Sequence, residues 1–359
     1  MRQFLISILL LTGLLCGSAQ TSLFYSSDKL SNSVINGICQ DQKGYIWIAT
    51  EYGLNRFDGY RFTPFLNHPG DSTSPCYNVV CCITCDSKNR LWVGTNKGLQ
   101  RYDDATGTFV TYTFPDGIRP RISDLCETHD GRLLIGTAGY GLYTLVDRTQ
   151  QLVEVTETKA DDNDSYFLYL HEDAKGGLWR GGASNYSYQK KGGSVRLFDE
   201  RPYGVPTAFF EYQGKTIIVC RDGLLTYDNG QMVDAPFDIS EAGSNPGFRT
   251  AIMDSDGNVY IGTRGNGLFW LPAGNTRLQR YPVSVQGYDL NASKIWALAQ
   301  DRQGNIWVGC QQKGLLMILR RKSMDSNSRC VIDELPSHRL QRNASNRSDF
   351  IDYTVSWIF

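Results

Sequence analysis

Cysteine and histidine are the residues of this 359-residue chain that could bind a metal ion or act as nucleophiles. The sequence holds ten cysteines and four histidines. Cys82 and Cys85 form a C-x-x-C pair, but the pair lies in an apolar run and no second pair follows at the spacing of a zinc site. The histidines, at positions 68, 129, 171 and 338, are scattered. We therefore predict free, weakly polar thiols, no metal site and no cofactor.

Aspartates recur along the chain and could supply acid–base catalysis if several of them met. Each of them is followed three residues later by Gly or Asn, the residue types that tolerate a positive φ in a tight turn. An aspartate at this position folds back onto the backbone two residues later and ends a strand. We therefore interpret these carboxylates as turn residues and predict no catalytic site. They are Asp41, Asp86, Asp173, Asp254 and Asp301.

A second kind of turn carries residues that suit ligand binding. Tyrosine rings stack on the apolar faces of sugars, and Arg, Asn and Gln form hydrogen bonds with hydroxyl or carboxylate groups. These turns differ in sequence, whereas the residues that frame them recur. The candidate ligand-binding residues are Tyr52, Asn96, Tyr140, Tyr186, Arg221, Arg264, Asn266 and Gln311.

Both kinds of turn belong to one unit that occurs seven times. The copy DQKGYIWIATEYGLNRFD starts at Asp41 and the copy DSKNRLWVGTNKGLQRYD starts at Asp86. The mean period, about 43 residues, is the length of one four-stranded propeller blade. We predict an all-β fold, a seven-bladed β-propeller of four-stranded antiparallel blades, over residues 20–320. The large residue six positions into each copy is Trp47, Trp92, Leu134, Trp179, Ile217, Tyr260 or Trp307.

The repeat also predicts local details. The segment from Leu23 to Tyr25 precedes the first blade, so we expect it to close the ring by pairing with the blade of Trp307. Gly257 should have a positive φ in its turn. The fourth copy departs from the pattern at Arg180, whose side chain we expect to reach the edge of the blade.

The two ends of the chain differ from the repeats. Residues 1–19 combine Arg2, an apolar run and small residues suited to cleavage, which predicts a signal peptide and a periplasmic location. Leu15 before Cys16 disfavours a lipid anchor. Residues 321–359 form a polar tail that ends in what we interpret as the broken-off start of a further repeat.

Composition excludes several classes of protein. The chain is 20% charged and 41% hydrophobic, with a net charge of −1. These values exclude a disordered polymer and a basic nucleic-acid binder. No segment after the signal reaches the length that a membrane span needs.

The repeat resembles that of the two-component regulator propeller family, with the pattern D-x-x-G-x-[IL]-W-[IV]-G-T-x-x-G-L-x-R-[FY]-D. The copy from Asp86 to Asp103 follows it nearly residue for residue. The resemblance implies the periplasmic sensor half of a hybrid two-component regulator, with an oligosaccharide as ligand. It implies no kinase or DNA-binding activity for this chain, which stops before those domains.

Three interpretations of the function remain open. The chain is a periplasmic glycan-sensing module without its kinase, a propeller lyase or hydrolase that acts on a glycan, or a truncated sensor remnant without function. A carboxylate or histidine set converging at the channel mouth would favour the enzyme. Self-association or a second propeller is a further possible partner.

Overall fold

The computed structural model describes residues 22–25, 29–155, 167–182, 185–198, 202–282 and 290–320. These residues form seven four-stranded antiparallel sheets. The innermost strand of each sheet packs against the innermost strands of both neighbours, and the seventh packs against the first, so the sheets are the blades of a ring. The predicted seven-bladed propeller is confirmed. The predicted signal peptide, residues 1–19, and the predicted tail, residues 321–359, lie outside the described residues.

Strands are numbered in chain order, and each blade runs from the ring axis outward. Blade 1 contains β2 (Ile35–Gln40), β3 (Ile46–Thr50), β4 (Gly53–Phe57) and β5 (Phe62–Phe65). Blade 2 contains β6 (Val80–Cys85), β7 (Leu91–Thr95), β8 (Gly98–Asp103) and β9 (Thr108–Tyr112), and blade 3 contains β10 (Ile122–Glu127), β11 (Leu133–Thr137), β12 (Leu142–Val146) and β13 (Gln151–Glu154). Blade 4 contains β14 (Phe167–Glu172), β15 (Leu178–Gly182), β16 (Tyr186–Gln189) and β17 (Val195–Phe198).

Blade 5 contains β18 (Pro206–Tyr212), β19 (Lys215–Cys220), β20 (Gly223–Asp228) and β21 (Gln231–Asp234). Blade 6 contains β22 (Phe248–Met253), β23 (Val259–Thr263), β24 (Leu268–Leu271) and β25 (Gln279–Arg280), and blade 7 contains β26 (Ile295–Gln300), β27 (Ile306–Cys310) and β28 (Gly314–Ile318). The fourth strand of blade 7 is β1 (Ser22–Tyr25). Two single-turn 3-10 helices, Pro115–Gly117 and Ser240–Ala242, lie in loops. Among the residues that the structure describes, no helix is both long and apolar enough to cross a membrane.

The ring is closed by the strand that precedes the first blade. β1 pairs antiparallel with β28, with Leu23 opposite Met317 and Tyr25 opposite Leu315. This confirms the expected pairing and covers the backbone edge that blade 7 would otherwise expose.

The core lies between neighbouring blades. The second strands are buried on both faces, as in β3, β7, β11, β23 and β27. A small residue in these strands lets the next sheet approach: a Cβ on Gly94 would lie 2.8 Å from Cγ2 of Ile122. Arg180 occupies such a buried position, opposite Leu170, and is 1% exposed. The expectation that its side chain reaches the blade edge is therefore wrong, because both faces of that strand are covered.

The turn between the first and second strand of each blade is here called the first turn, and in blades 1, 2, 4, 6 and 7 an aspartate organises it. In blade 2, Oδ1 of Asp86 accepts the backbone N–H groups of Lys88 and Arg90, as the sequence predicts. Its Oδ2 accepts the indole N–H of Trp92 at 2.8 Å. Asp41–Trp47 and Asp301–Trp307 repeat this bond. The aspartate thus ties the turn to the blade core, which is a structural role.

Candidate functional site

An irregularity repeats in every inner strand and shapes the centre of the ring. In each blade one residue near the start of the inner strand is skipped in the pairing with the second strand, which is the pattern of a β-bulge. A bulge redirects a side chain that would otherwise alternate in and out of the sheet. The seven bulge residues are Asn36, Cys81, Ser123, Leu168, Thr207, Arg249 and Trp296.

All seven bulge residues line one cavity of about 260 Å³ at the ring axis, here called the channel cavity. They lie near the end of the ring that carries the turns between second and third strands, the second turns. The backbone N–H of the first residue of these turns donates to a carbonyl just before the inner strand of the same blade, as Asn96 does to Val79 and Gln311 to Lys294. The second turns therefore form the rim of the channel cavity.

Arg249 is the cation among the bulge residues. Its guanidinium lies 5.6 Å from the ring centre of Tyr169 and 5.4 Å from that of Trp296, and it donates a hydrogen bond to the Tyr169 hydroxyl. This arrangement places one positive charge between two aromatic rings. Such a set can bind a hydroxyl-rich or carboxylate-bearing ligand through both stacking and hydrogen bonds.

Two polar atoms of blade 7 lack a hydrogen-bond partner among the described residues. They are the buried indole nitrogen of Trp296 and the buried Oε1 of Gln311. In blades 1 and 2 the corresponding pairs are bonded to each other: Asn36 donates to Glu51 at 3.0 Å, and the Cys81 thiol donates to Asn96. A buried donor or acceptor without a partner costs stability, so this pair points to a partner that the described residues do not supply.

Asp124 and His171 also line the channel cavity, which is the convergence of titratable groups that an enzyme would need. Burial raises the pKa of the Asp124 carboxyl to about 6, while bonds from the backbone N–H groups of Leu170 (2.7 Å) and Leu125 (2.9 Å) oppose the rise. His171 bonds Glu211 at 3.1 Å and stacks on Phe209. Both groups are thus held by partners within the protein.

Some of the predicted turn residues have exposed side chains, and others form hydrogen bonds or pack within the protein. Tyr52 and Tyr140 are each 51% exposed at the rim, and Arg264 is exposed as well. Arg221 is exposed but bonds Asp222 at 2.7 and 2.9 Å. Gln311 lies at the rim with the free oxygen described above.

Three of the predicted residues are engaged in the fold. Tyr186 was expected in an exposed turn, and this placement is wrong: it begins β16, is 1% exposed and stacks on Phe198 at 5.3 Å. Its ring fills the space between blades, so it does not reach the rim. The Asn266 side chain donates to Ala242 and accepts from Arg280, which fixes a loop. Asn96 accepts from Cys81.

Sequence reasoning missed the bulge residues. They share no chemical type, and a bulge leaves no composition signal in a single repeat. The residue before each of them is apolar in all seven copies, but the residue after it varies in type, so the repeat alone does not mark the bulge. In the part of the chain that the structure describes, no group of three His, Cys, Asp or Glu side chains is placed to hold a metal ion. The cysteines described are free thiols.

Comparison with known proteins identifies the repeat. The family model for the two-component regulator propeller matches residues 29–52, 74–97 and 289–312, which fall in blades 1, 2 and 7. The chain therefore carries the repeats of this family. A histidine kinase, P4 of Formosa agariphila, is 47% identical over 51 residues, which is 14% of this chain and 4% of that kinase.

Solved structures share the fold. The extracellular domain of a proposed hybrid two-component system from B. thetaiotaomicron superposes with a TM-score of 0.72 at 21% identity, over 83% of this chain and 42% of that one. Virginiamycin B lyase from Staphylococcus aureus superposes with a TM-score of 0.64 at 13% identity, over 84% of this chain and 99% of that one. This chain thus spans less than half of the two-component relatives and nearly the whole lyase. At these identities the likeness concerns the fold alone.

Proposed function

Because the chain carries two-component regulator propeller repeats, we propose that it is the extracytoplasmic ligand-sensing module of such a regulator and that its ligand is an oligosaccharide. The observation that carries the proposal is the ring of seven bulge residues around one cavity, with Arg249 held between two aromatic rings. The ligand would enter from the rim, where Tyr52 and Tyr140 expose their rings. Export to the periplasm by the predicted signal peptide belongs to this proposal.

Two atoms of blade 7 without a partner among the described residues, in Trp296 and Gln311, indicate which bonds a sugar would form in the channel cavity. A sugar hydroxyl both donates and accepts hydrogen bonds. One hydroxyl could therefore accept a hydrogen bond from the indole N–H of Trp296, and another could donate one to Oε1 of Gln311. Affinity should be modest, because hydroxyl groups exchange hydrogen bonds with water for similar bonds in the site.

Binding is preferred over turnover because the channel's titratable groups are already engaged. Asp124 accepts two backbone N–H groups, and His171 is bonded to Glu211. An acid–base catalyst needs a proton position open to substrate. Lyase or hydrolase activity is the second candidate, since Asp124 and His171 do line the channel cavity. A truncated remnant without function would bind no ligand there.

The test is calorimetric titration of the mature chain with a panel of oligosaccharides, with product analysis of the same mixtures. Trp296→Phe keeps an aromatic ring but removes the five-membered ring of the indole together with its unpartnered N–H, so we expect an unchanged fold and about fivefold weaker binding. The matched control is Trp270→Phe. The indole nitrogen of Trp270 is also buried without a hydrogen-bond partner in the described part of the chain, but it lies on β24, which does not line the channel cavity.

Equal loss in both variants, or no binding across the panel, would contradict the proposed site. New reducing ends or unsaturated products would instead support the enzyme.

A further inference from the structure

A further departure from the repeat lies at the opposite end of the ring, between blades 4 and 5. A cleft of about 800 Å³ opens there, lined by the first turns of both blades and by the turns between their third and fourth strands. Its volume falls within the range of small-molecule sites. Its lining includes the indole ring of Trp179 and four lysines, Lys175, Lys190, Lys191 and Lys215.

Blade 4 lacks the bond between aspartate and tryptophan that occurs in the first turns of blades 1, 2 and 7. Oδ2 of Asp173 accepts the hydroxyl of Tyr188 at 2.8 Å, where blades 1, 2 and 7 bond a tryptophan. Gly177 makes this possible, because any Cβ at that position would collide with the Tyr188 side chain. The indole nitrogen of Trp179 is left buried with no hydrogen-bond partner among the described residues, and the residue is 1% exposed.

Blade 4 also lacks an ion pair that other blade interfaces possess. The third residue of the first turn pairs with an opposite charge on the next blade in Lys43–Asp104, in Lys88–Asp147 and, with the signs exchanged, in Asp256–Arg320. In blade 4 this residue is Lys175, and the position that corresponds to Asp104 on blade 5 is Asn229. Lys175 therefore has no ion pair within the described chain.

Three carboxylates, Asp173, Glu211 and Asp228, line the cleft beside its lysines. Among the described residues none of the three forms an ion pair with Lys175, Lys190 or Lys191, although the charge of Lys175 acts on Glu211 and helps to lower its pKa. Asp173 is bound by the Tyr188 hydroxyl and by the N–H groups of Lys175 and Gly177. Glu211 accepts from His171 and Thr216. Asp228 pairs with Lys215 at 3.2 Å. Three exposed lysines, at positions 175, 190 and 191, remain without an ion pair in the residues described.

We propose that this cleft is a second binding site, for a compact polyanion that carries sulfate or phosphate ester groups. The three unpaired ammonium groups would bind the oxyanions as point charges, and the indole N–H of Trp179 would donate to one of their oxygens. This site is separate from the channel cavity and does not depend on the proposed sensing of an oligosaccharide there.

The experiment is a titration of the mature chain at 0.15 M salt with sucrose octasulfate, inositol hexakisphosphate and, as the neutral probe, sucrose. Tighter binding of sucrose octasulfate would indicate a sulfate ester as the ligand, and tighter binding of inositol hexakisphosphate would indicate a phosphate ester. The variant Lys175→Gln/Lys190→Gln/Lys191→Gln should bind at least about tenfold more weakly, since each ammonium contributes to binding. The control, Lys29→Gln/Lys97→Gln/Lys294→Gln, removes the same charge from exposed lysines that do not line the cleft and should change binding less than about twofold.

A pair of tryptophan variants separates this site from the channel cavity. Trp179→Phe should weaken polyanion binding and leave oligosaccharide binding unchanged, whereas Trp296→Phe should do the reverse. Equal losses in the two lysine variants would mean general attraction between charges and would overturn the proposal. Absence of binding of both polyanions by the unmodified chain would also overturn it, whatever the channel cavity binds.

Discussion

Asp124 lies inside the ring and links two blades. Its carboxylate accepts N–H groups from its own strand and from Leu170 of blade 4, yet burial raises its pKa to about 6. An aspartate in an unfolded chain has a pKa of about 3.9. The folded state therefore takes up a proton at a higher pH than the unfolded state, and the protonated form is the one that folding favours.

The stability of the propeller should therefore rise as the pH falls from 7.5 to 5.0. The folded pKa lies above the unfolded one, so this contribution is complete below about pH 4 and is lost as the pH rises through about 6. The gain between the two pH values is at most about 1.4 kcal/mol. Urea unfolding at both pH values measures it. Asp124→Asn cannot titrate, so its curve should lack this gain; the same pH dependence in both proteins would contradict the assignment.

The first turns impose a backbone conformation that depends on residue type. Gly257 has a φ of +83°, as the sequence predicts, and Asn89 occupies the equivalent turn position with a φ of +59°. A Cβ on Gly257 would meet only the Cβ of Ala273, at 3.5 Å, so space is available and only the dihedral angle restricts the residue.

Gly257→Val should destabilise the fold by about 1–3 kcal/mol, because a β-branched residue resists a positive φ. Gly257→Asn should cost much less, since Asn tolerates this region and the chain already uses it at Asn89. Thermal unfolding of the two variants and of the unmodified protein measures how much each substitution destabilises the fold. If the Val variant melts with the parent, or if the Asn variant is as unstable as the Val variant, backbone strain is not what selects Gly here.

The strands and turns could be predicted because their sequence pattern repeats along the chain. The binding-site residues were harder to predict because no repeating pattern marks them. Seven copies of one repeat predict the strands, the turns and the number of blades. The single strand that precedes them predicts how the ring is closed. The frame could not show that Tyr186 would be drawn into the core, because Tyr suits a strand as well as a turn. It also could not show the bulges, since an extra residue in one strand is visible only against its paired neighbour.

β1 closes the ring by covering the backbone edge of blade 7. A chain that starts at residue 26 lacks this strand and leaves the backbone edge of β28 unpaired. Compared with a chain that starts at residue 20, we expect it to melt at a lower temperature and to self-associate, because an open strand edge pairs with other chains. Calorimetry and light scattering measure these effects. Equal melting and a monomeric state in both chains would show that β1 is dispensable.

The central claim is that the second-turn end of the ring binds an oligosaccharide without altering it. The most direct measurement is a crystal structure of the mature chain with the tightest oligosaccharide found by calorimetry. We predict an intact sugar at the rim of the channel cavity, in contact with Arg249 and bonded to the indole N–H of Trp296 and Oε1 of Gln311. A sugar seated at the first-turn end of the ring, or cleaved in the channel beside Asp124 and His171, would contradict the account.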